Sequence, residues 1–231
     1  MCGRIVQKSG VAGLSIVEAT ETRAGEGGNI PPRYNGAPGQ DLLVIRRNPA
    51  SGEVSMSPLR WGLIPSWMQD TRGGPKPINA RAETVRRLPM FREAYAKRRC
   101  IVPVDAFFEW HASGKPRKQA YAIGLKSGAP FGLAALWENW KDPNGEWQRT
   151  FAIVTCEANE LMREIHERMP VILHPDDYAR WLSDAPEADD LLRPFPASLM
   201  KMWRVGARVN SVRNDDAALM EEEAEEEAAA Q

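Results

Sequence analysis

CIVPVDAFFEWHASGKPRKQAYAIGLKSGAPFGLAALWENWKDPNGEWQRTFAIVTCEA, residues 100–158, is the stretch whose reading decides the fold. It divides into four apolar runs, CIVPVDAFFEWHA, QAYAIGLK, PFGLAALWENWK and QRTFAIVTCEA, rich in the β-branched and aromatic residues that suit a pleated surface. The linkers SGKPRK, SGA and DPNGE supply the Gly, Pro, Asn and Asp that tight turns require, so the spacing predicts four strands in an antiparallel meander. Working outward, GRIVQ (3–7), DLLVIRR (41–47) and the start of EVSMSPLRWGLIPSW (53–67) read as further strands, the last ended by Pro65. Helices are expected at MFREAYAKRR (90–99), where Phe91, Ala94 and Tyr95 recur at helical spacing, and at PDDYARWLS (175–183), which opens with Pro and acids. ANELMREIHERM (158–169) gives the strongest helical pattern, with Leu161, Ile165 and Met169 on one face, and residues 11–22 suggest a short helix. Gly- and Pro-rich loops are expected over 24–39 and 70–77. The reading is α+β: a twisted, barrel-like, mainly antiparallel sheet flanked by helices. One folded unit is expected over 1–214, followed by an acidic, low-complexity tail over 215–231 that reads as disordered.

Composition narrows the function classes. The 231 residues are 43% hydrophobic and 26% charged, enough for a sizeable core. No apolar run approaches the ~20 residues that span a bilayer, and the start MCGRIVQKSG lacks the apolar segment of a secretory signal. A cytoplasmic, reducing location is the expectation, with no membrane partner. The three cysteines, Cys2, Cys100 and Cys156, form no CxxC pair, so neither disulfides nor a metal centre is expected. The net charge of -1 conceals an asymmetry: six of the 31 acidic residues lie at 221–227, and the remaining 25 face 30 basic ones. The body is therefore mildly basic, which is compatible with a polyanionic partner.

Cys2 is the first candidate for chemistry. If Met1 is removed, one residue carries both an α-amine (pKa ~7.7–8.0) and a thiol (~8.5), each partly nucleophilic near neutrality. Such a 1,2-aminothiol condenses with an aldehyde to an imine, and the thiol then closes a five-membered thiazolidine ring. Glu109, in AFFEWH, sits among aromatic residues on a predicted strand. Alternation leaves two readings open, a solvent-facing residue or a carboxylate in a partly apolar cleft with a raised pKa suited to proton transfer. His166 adjoins an apolar stripe near Arg168, whose charge would favour a neutral ring able to act as a base. INARAETV (78–85) offers Asn79 and Arg81 just after a loop, a place where polar side chains reach a site. Of Trp61 and Trp67, one is expected in the core and the one after Pro65 as a stacking platform for a base.

Taken in order, MCGR, RYNGAPG (33–39), RWGLIPSW (60–67), NARAETV (79–85), FREAYAKRRCIVPVDAFFEW (91–110), GLAALWENW (132–140), IVTCEAN (153–159), IHERMP (165–170) and VNSVRND (209–215) resemble the SOS response-associated peptidase (SRAP) family, whose members cross-link abasic DNA. The resemblance covers nearly the whole chain except the acidic tail. It departs at Gly36, where a larger apolar residue is common, and in FFEW where FYEW is usual. It implies Cys2 as covalent nucleophile, Asn79 as a hydrogen bonder to the sugar or to Cys2, and Glu109 as proton shuttle. It also implies His166 as the group assisting ring opening of the deoxyribose, and Arg4, Asn35, Pro38, Trp67, Arg81 and Thr155 as lining of a DNA channel. The implied partner is single-stranded DNA containing abasic sites, bound by a monomer without metal or cofactor. A lyase side activity through the imine is a further implication. Two other readings remain at this stage: an N-terminal-nucleophile peptidase or amidohydrolase, and a non-covalent single-stranded DNA-binding module.

Overall fold

The computed structural model describes residues 2–9, 31–69, 71, 74–112, 118–183 and 188–223. The helix expected over 11–22 lies outside them. The apolar runs become strands: β1 (Ile5–Gln7), β2 (Arg33–Gly36), β3 (Asp41–Arg47), β4 (Val54–Trp61) and β5 (Asn79–Arg81) precede helix α1 (Arg92–Lys97). β6 (Arg99–Val104), β7 (Ala106–His111), β8 (Gln119–Leu125), β9 (Phe131–Lys141) and β10 (Trp147–Glu157) follow. Helix α2 (Glu160–Arg163), strands β11 (Arg168–Pro170) and β12 (Ile172–Leu173), helix α3 (Tyr178–Leu182) and strand β13 (Met200–Val205) complete the order.

β10 organises the molecule. It pairs antiparallel with β9 and parallel with β4, while β4–β3, β3–β6 and β6–β9 are antiparallel, so β10-β4-β3-β6-β9 closes on itself as a small barrel. Closure removes exposed edges and lets apolar residues fill both faces of β9, which is why FGLAALWE is buried throughout. Trp61 and Phe151 stack with ring centroids 5.8 Å apart, at the parallel β4–β10 contact. Beyond the barrel, β10 continues into pairings with β5 and β11. Gly132 in β9 is needed for close approach: a Cβ there would lie 2.6 Å from Ile101 and 2.8 Å from the Tyr178 ring.

A second, all-antiparallel sheet has the order β13-β8-β7-β1-β2. The expected meander is thus split. β7–β8 and β9–β10 are hairpins, but β8 and β9 belong to different sheets, and the bend at Asp105 sends β6 and β7 to opposite sheets. The Asp105 carboxylate fixes that bend by accepting from the backbone N–H groups of Lys8 and Ser9. Gln7 ties the two layers together, donating to the Leu43 and Pro103 carbonyls and accepting from Leu43 N–H.

Three expectations need correction. The segment 158–169 is not one helix: α2 stops at Arg163, and Arg168–Pro170 extends to pair with β10. The expected irregular loop over 24–39 contains β2. The sequence reading starts the tail at 215, yet residues 215–223 pack on the body: Leu219 is buried, and Glu222 bridges to Val205. With Val209, Leu219 covers a second apolar cluster formed by Val6, Ala106, Phe108, Ala120, Ala122 and Val205. None of the described helices is long and apolar enough to cross a membrane.

Candidate active site

Cys2 sits where the two sheets meet. Ile5 pairs with Phe107 and Val6 with Ala106, and Phe108 N–H donates to the Arg4 carbonyl, so continuing this register sets Gly3 across from Glu109. The residue before Gly3, Cys2, is carried to β5 of the barrel sheet, where Asn79 Nδ2 donates to its carbonyl at 2.9 Å. Cys2 is 0% exposed and belongs to the main core. Burial pushes its thiol well above the ordinary cysteine range, and the negative charge of Glu109 adds to the rise. Glu109 is itself buried, so the solvent-facing reading falls. Alternation explains this: Phe108 belongs to the second cluster with Trp110 packed on it, while Phe107, on the opposite face with Glu109, joins the main core.

Asn79 holds an unusual position. Its Oδ1 is buried and has no hydrogen-bond partner among the described residues, while its Nδ2 grips Cys2. A buried amide oxygen left unpaired costs about 1–3 kcal/mol. β5 is held parallel to β10 through Ile153–Asn79, Val154–Ala80 and Thr155–Arg81, which fixes Asn79 independently of Cys2.

His166 lies in the turn between α2 and β11 rather than on a helix. Its Nδ1 accepts from Arg168 N–H at 2.9 Å, so the neutral ring carries its proton on Nε2. β11 and β5 both pair with β10, and this shared strand is what relates His166 to Asn79.

The six residues expected along a DNA channel separate into two groups. Pro38, Trp67 and Arg81 are exposed, Trp67 at 58%. Asn35 and Thr155 are buried. Asn35 Nδ2 donates to the carbonyls of Val209, Ser211 and Asn214, and its Oδ1 accepts from Arg4 at 2.7 Å. Arg4 also donates to Val209 O and lies 5.5 Å over the Trp110 ring, and desolvation lowers its pKa. Arg4 and Asn35 thus brace VNSVRND against β1 and β2. Thr155 is covered by Arg168, whose Nη2 donates to its carbonyl at 2.6 Å. Arg168 also meets the Glu83 carboxylate through both terminal nitrogens, at 2.5 and 3.1 Å. That bond is the main reason the Glu83 carboxyl lies below its ordinary range.

Arg168 is the residue that sequence reasoning missed as a site member. It was weighed only for its effect on His166, and the two-residue spacing from that histidine was the available signal.

The profile of the SOS response associated peptidase (SRAP) family matches residues 1–212. This chain belongs to the SRAP family. SRAP relatives include abasic site processing protein YoaM of Bacillus subtilis, 41% identical over 200 residues, covering 85% of this chain and 87% of the relative. Abasic site processing protein YedK of Escherichia coli is 30% identical over 194 residues, covering 82% and 84%. A crystal structure of a protein from Bacteroides thetaiotaomicron superposes with a TM-score of 0.84 at 26% identity, covering 96% of this chain and all of the other. The barrel-like α+β fold is thus a shared SRAP architecture. Gly36 fits this version of it: a Cβ there would meet Leu42 Cδ2 at 2.9 Å, so Leu42 occupies the volume of a larger side chain.

Proposed function

We propose that this protein, whose relatives are named abasic site processing proteins, acts on abasic sites in single-stranded DNA by covalent capture through Cys2 after Met1 is removed. The observation that carries the reading is the Cys2–Asn79–Glu109 junction: a carbonyl gripped by Nδ2, an unpartnered Oδ1 beside it, and a buried carboxylate acting on the thiol. An abasic deoxyribose opens to an aldehyde, a group that no intact nucleotide carries, so the chemistry supplies lesion selectivity. The Cys2 amine adds to the aldehyde carbon and one water leaves, forming the imine. The thiol sulfur then adds to the imine carbon while its proton passes to nitrogen, closing the thiazolidine with no further loss of mass.

A thiol pushed up by burial is mostly protonated near neutrality, so the amine acts first and the sulfur second. This favours aldehyde capture over a peptidase mechanism, which asks Cys2 for a ready thiolate. Asn79 Oδ1 is suited to receive the sugar hydroxyl or the amine N–H. Glu109 is suited to move protons at the imine and ring-closure steps, and His166 Nε2–H to assist sugar opening. Exposed Arg81, with Arg168 once released from Glu83, is suited to phosphate oxygens, and Trp67 to a stacked base. Should the imine not be trapped by sulfur, loss of a proton from C2′, next to the imine carbon, expels the phosphate from C3′ by β-elimination and cleaves the strand, a lyase side reaction of one site.

The test is a denaturing gel of protein incubated with a single-stranded oligonucleotide bearing one abasic site. A heat-stable, slow-migrating band is expected with the wild type and absent with undamaged DNA. Cys2→Ser should give an imine that heat reverses, because a hydroxyl closes the ring poorly. An equally durable band from Cys2→Ser would remove the thiazolidine step.

A further inference from the structure

A groove of about 1000 Å³ runs beside the β9–β10 hairpin, clear of Cys2, Asn79, Glu109 and His166. Arg60, Lys76 and Arg149 line it together with Trp140 and Trp147, and two carboxylates, Asp41 and Asp142, also face it. We propose that this groove holds unpaired nucleotides flanking the captured lesion, with a base on Trp147 and phosphates at Arg60, Lys76 and Arg149; the proposal rests on the DNA reading above and extends it.

Five observations carry it. Trp147 is 61% exposed, so the fold itself leaves most of an indole uncovered, and Lys141 Nζ lies 5.6 Å from its ring. An exposed indole among cations is the arrangement that stacks bases in single-strand binders. Trp140 forms the buried wall and its Nε1 donates to the Met68 carbonyl, which joins the groove to the turn bearing exposed Trp67. Lys76 is three residues from Asn79, at most about 11 Å of extended chain, so the groove opens beside the proposed capture site. The lining cations outnumber the acids three to two, and the Asp142 carboxylate is turned to the hairpin, its Oδ1 accepting from Asn144 and Glu146 N–H. The groove is open to solvent, which suits a polymer passing through better than an enclosed small molecule.

The experiment uses a tetrahydrofuran abasic analogue, which has no aldehyde and therefore reports binding without capture. Fluorescence anisotropy compares a trinucleotide centred on the analogue with strands extended by six nucleotides on the 5′ or the 3′ side. The wild type should bind one of the extended strands more tightly than the trinucleotide. Trp147→Ala should reduce that gain by about five- to 150-fold, the range of one stacked base. Arg60→Gln combined with Arg149→Gln should lower the salt slope on the extended strand by about 1.4, the loss of two single-strand phosphate contacts. All three side chains are exposed, so folding is not at risk. Wild-type affinity on the extended strand from both variants overturns the groove. Failure of the wild type to cross-link an aldehyde-bearing strand, with the analogue still held through Trp147, overturns covalent capture and supports the groove.

Discussion

Asn79 is the side chain on which the site turns, because one amide both holds the Cys2 carbonyl and keeps a buried oxygen unpaired. Asn79→Ala is expected to slow cross-linking at least tenfold while costing only about 1 kcal/mol of stability, since one hydrogen bond is lost and one unsatisfied atom is removed with it. Gel time courses and urea denaturation of the same preparation check both halves. Adding a single residue between Met1 and Cys2 should abolish stable cross-linking as fully as removing the sulfur, because the α-amine is then an amide. At this scale the sequence was uneven in what it revealed. Cys2 was a candidate from its position, and only the family resemblance gave it a role. Glu109 was ambiguous, because alternation states which residues share a face but not which face is covered. The burial of Asn35 and Thr155 was not legible, since the partners that cover them come from 209–214 and from Arg168.

Among the elements, the segment after β13 is the one that residue-by-residue reading undervalued. Asp215 accepts from Tyr34 and Asn35 N–H at 2.6 and 2.9 Å and pairs with Arg33, so an acid counted with the tail fastens β2. Ending the chain after residue 223 should leave thermal stability unchanged. Ending it after residue 214 should lower it by about 2 kcal/mol or more, from two backbone N–H groups left unpaired and Leu219 lost from its cluster. Differential scanning calorimetry of the two truncations separates these outcomes. The long strands were well predicted, DLLVIRR to the residue, because their β-branched runs and turn signals agree, whereas β2, β5, β11, β12 and β13 were not read as strands and CIVPVDAFFEWHA divides into two. The helix expected over 158–169 failed because its apolar residues serve different partners. Met162 and Ile165 close a tight turn in the core, whereas Met169 must extend to pair with Cys156. Periodicity records the spacing of apolar residues but not the neighbour that each one meets.

Across the whole molecule, barrel closure buries thiols and a phenol that resist ionisation. Burial raises the Cys156 thiol and the Tyr178 hydroxyl to about 12, and Cys2 and Cys100 shift in the same direction. Groups raised in the folded state ionise first in the unfolded chain, so their contribution is full only well below the unfolded thiol value of ~8.5 and is lost as pH climbs toward 12. Urea midpoints are expected to be flat from about pH 6.5 to 7.5 and to fall steadily above about 8.5; a midpoint unchanged to pH ~11 would show these groups to be more hydrated than their burial implies. The central claim concerns one residue joined to one lesion, and intact mass spectrometry of the protein after incubation with an abasic single strand measures it most directly. The expected species is the chain lacking Met1 plus the oligonucleotide minus one water, with fragmentation locating the added mass on Cys2. An unmodified chain, or an adduct located on any other residue, would contradict it.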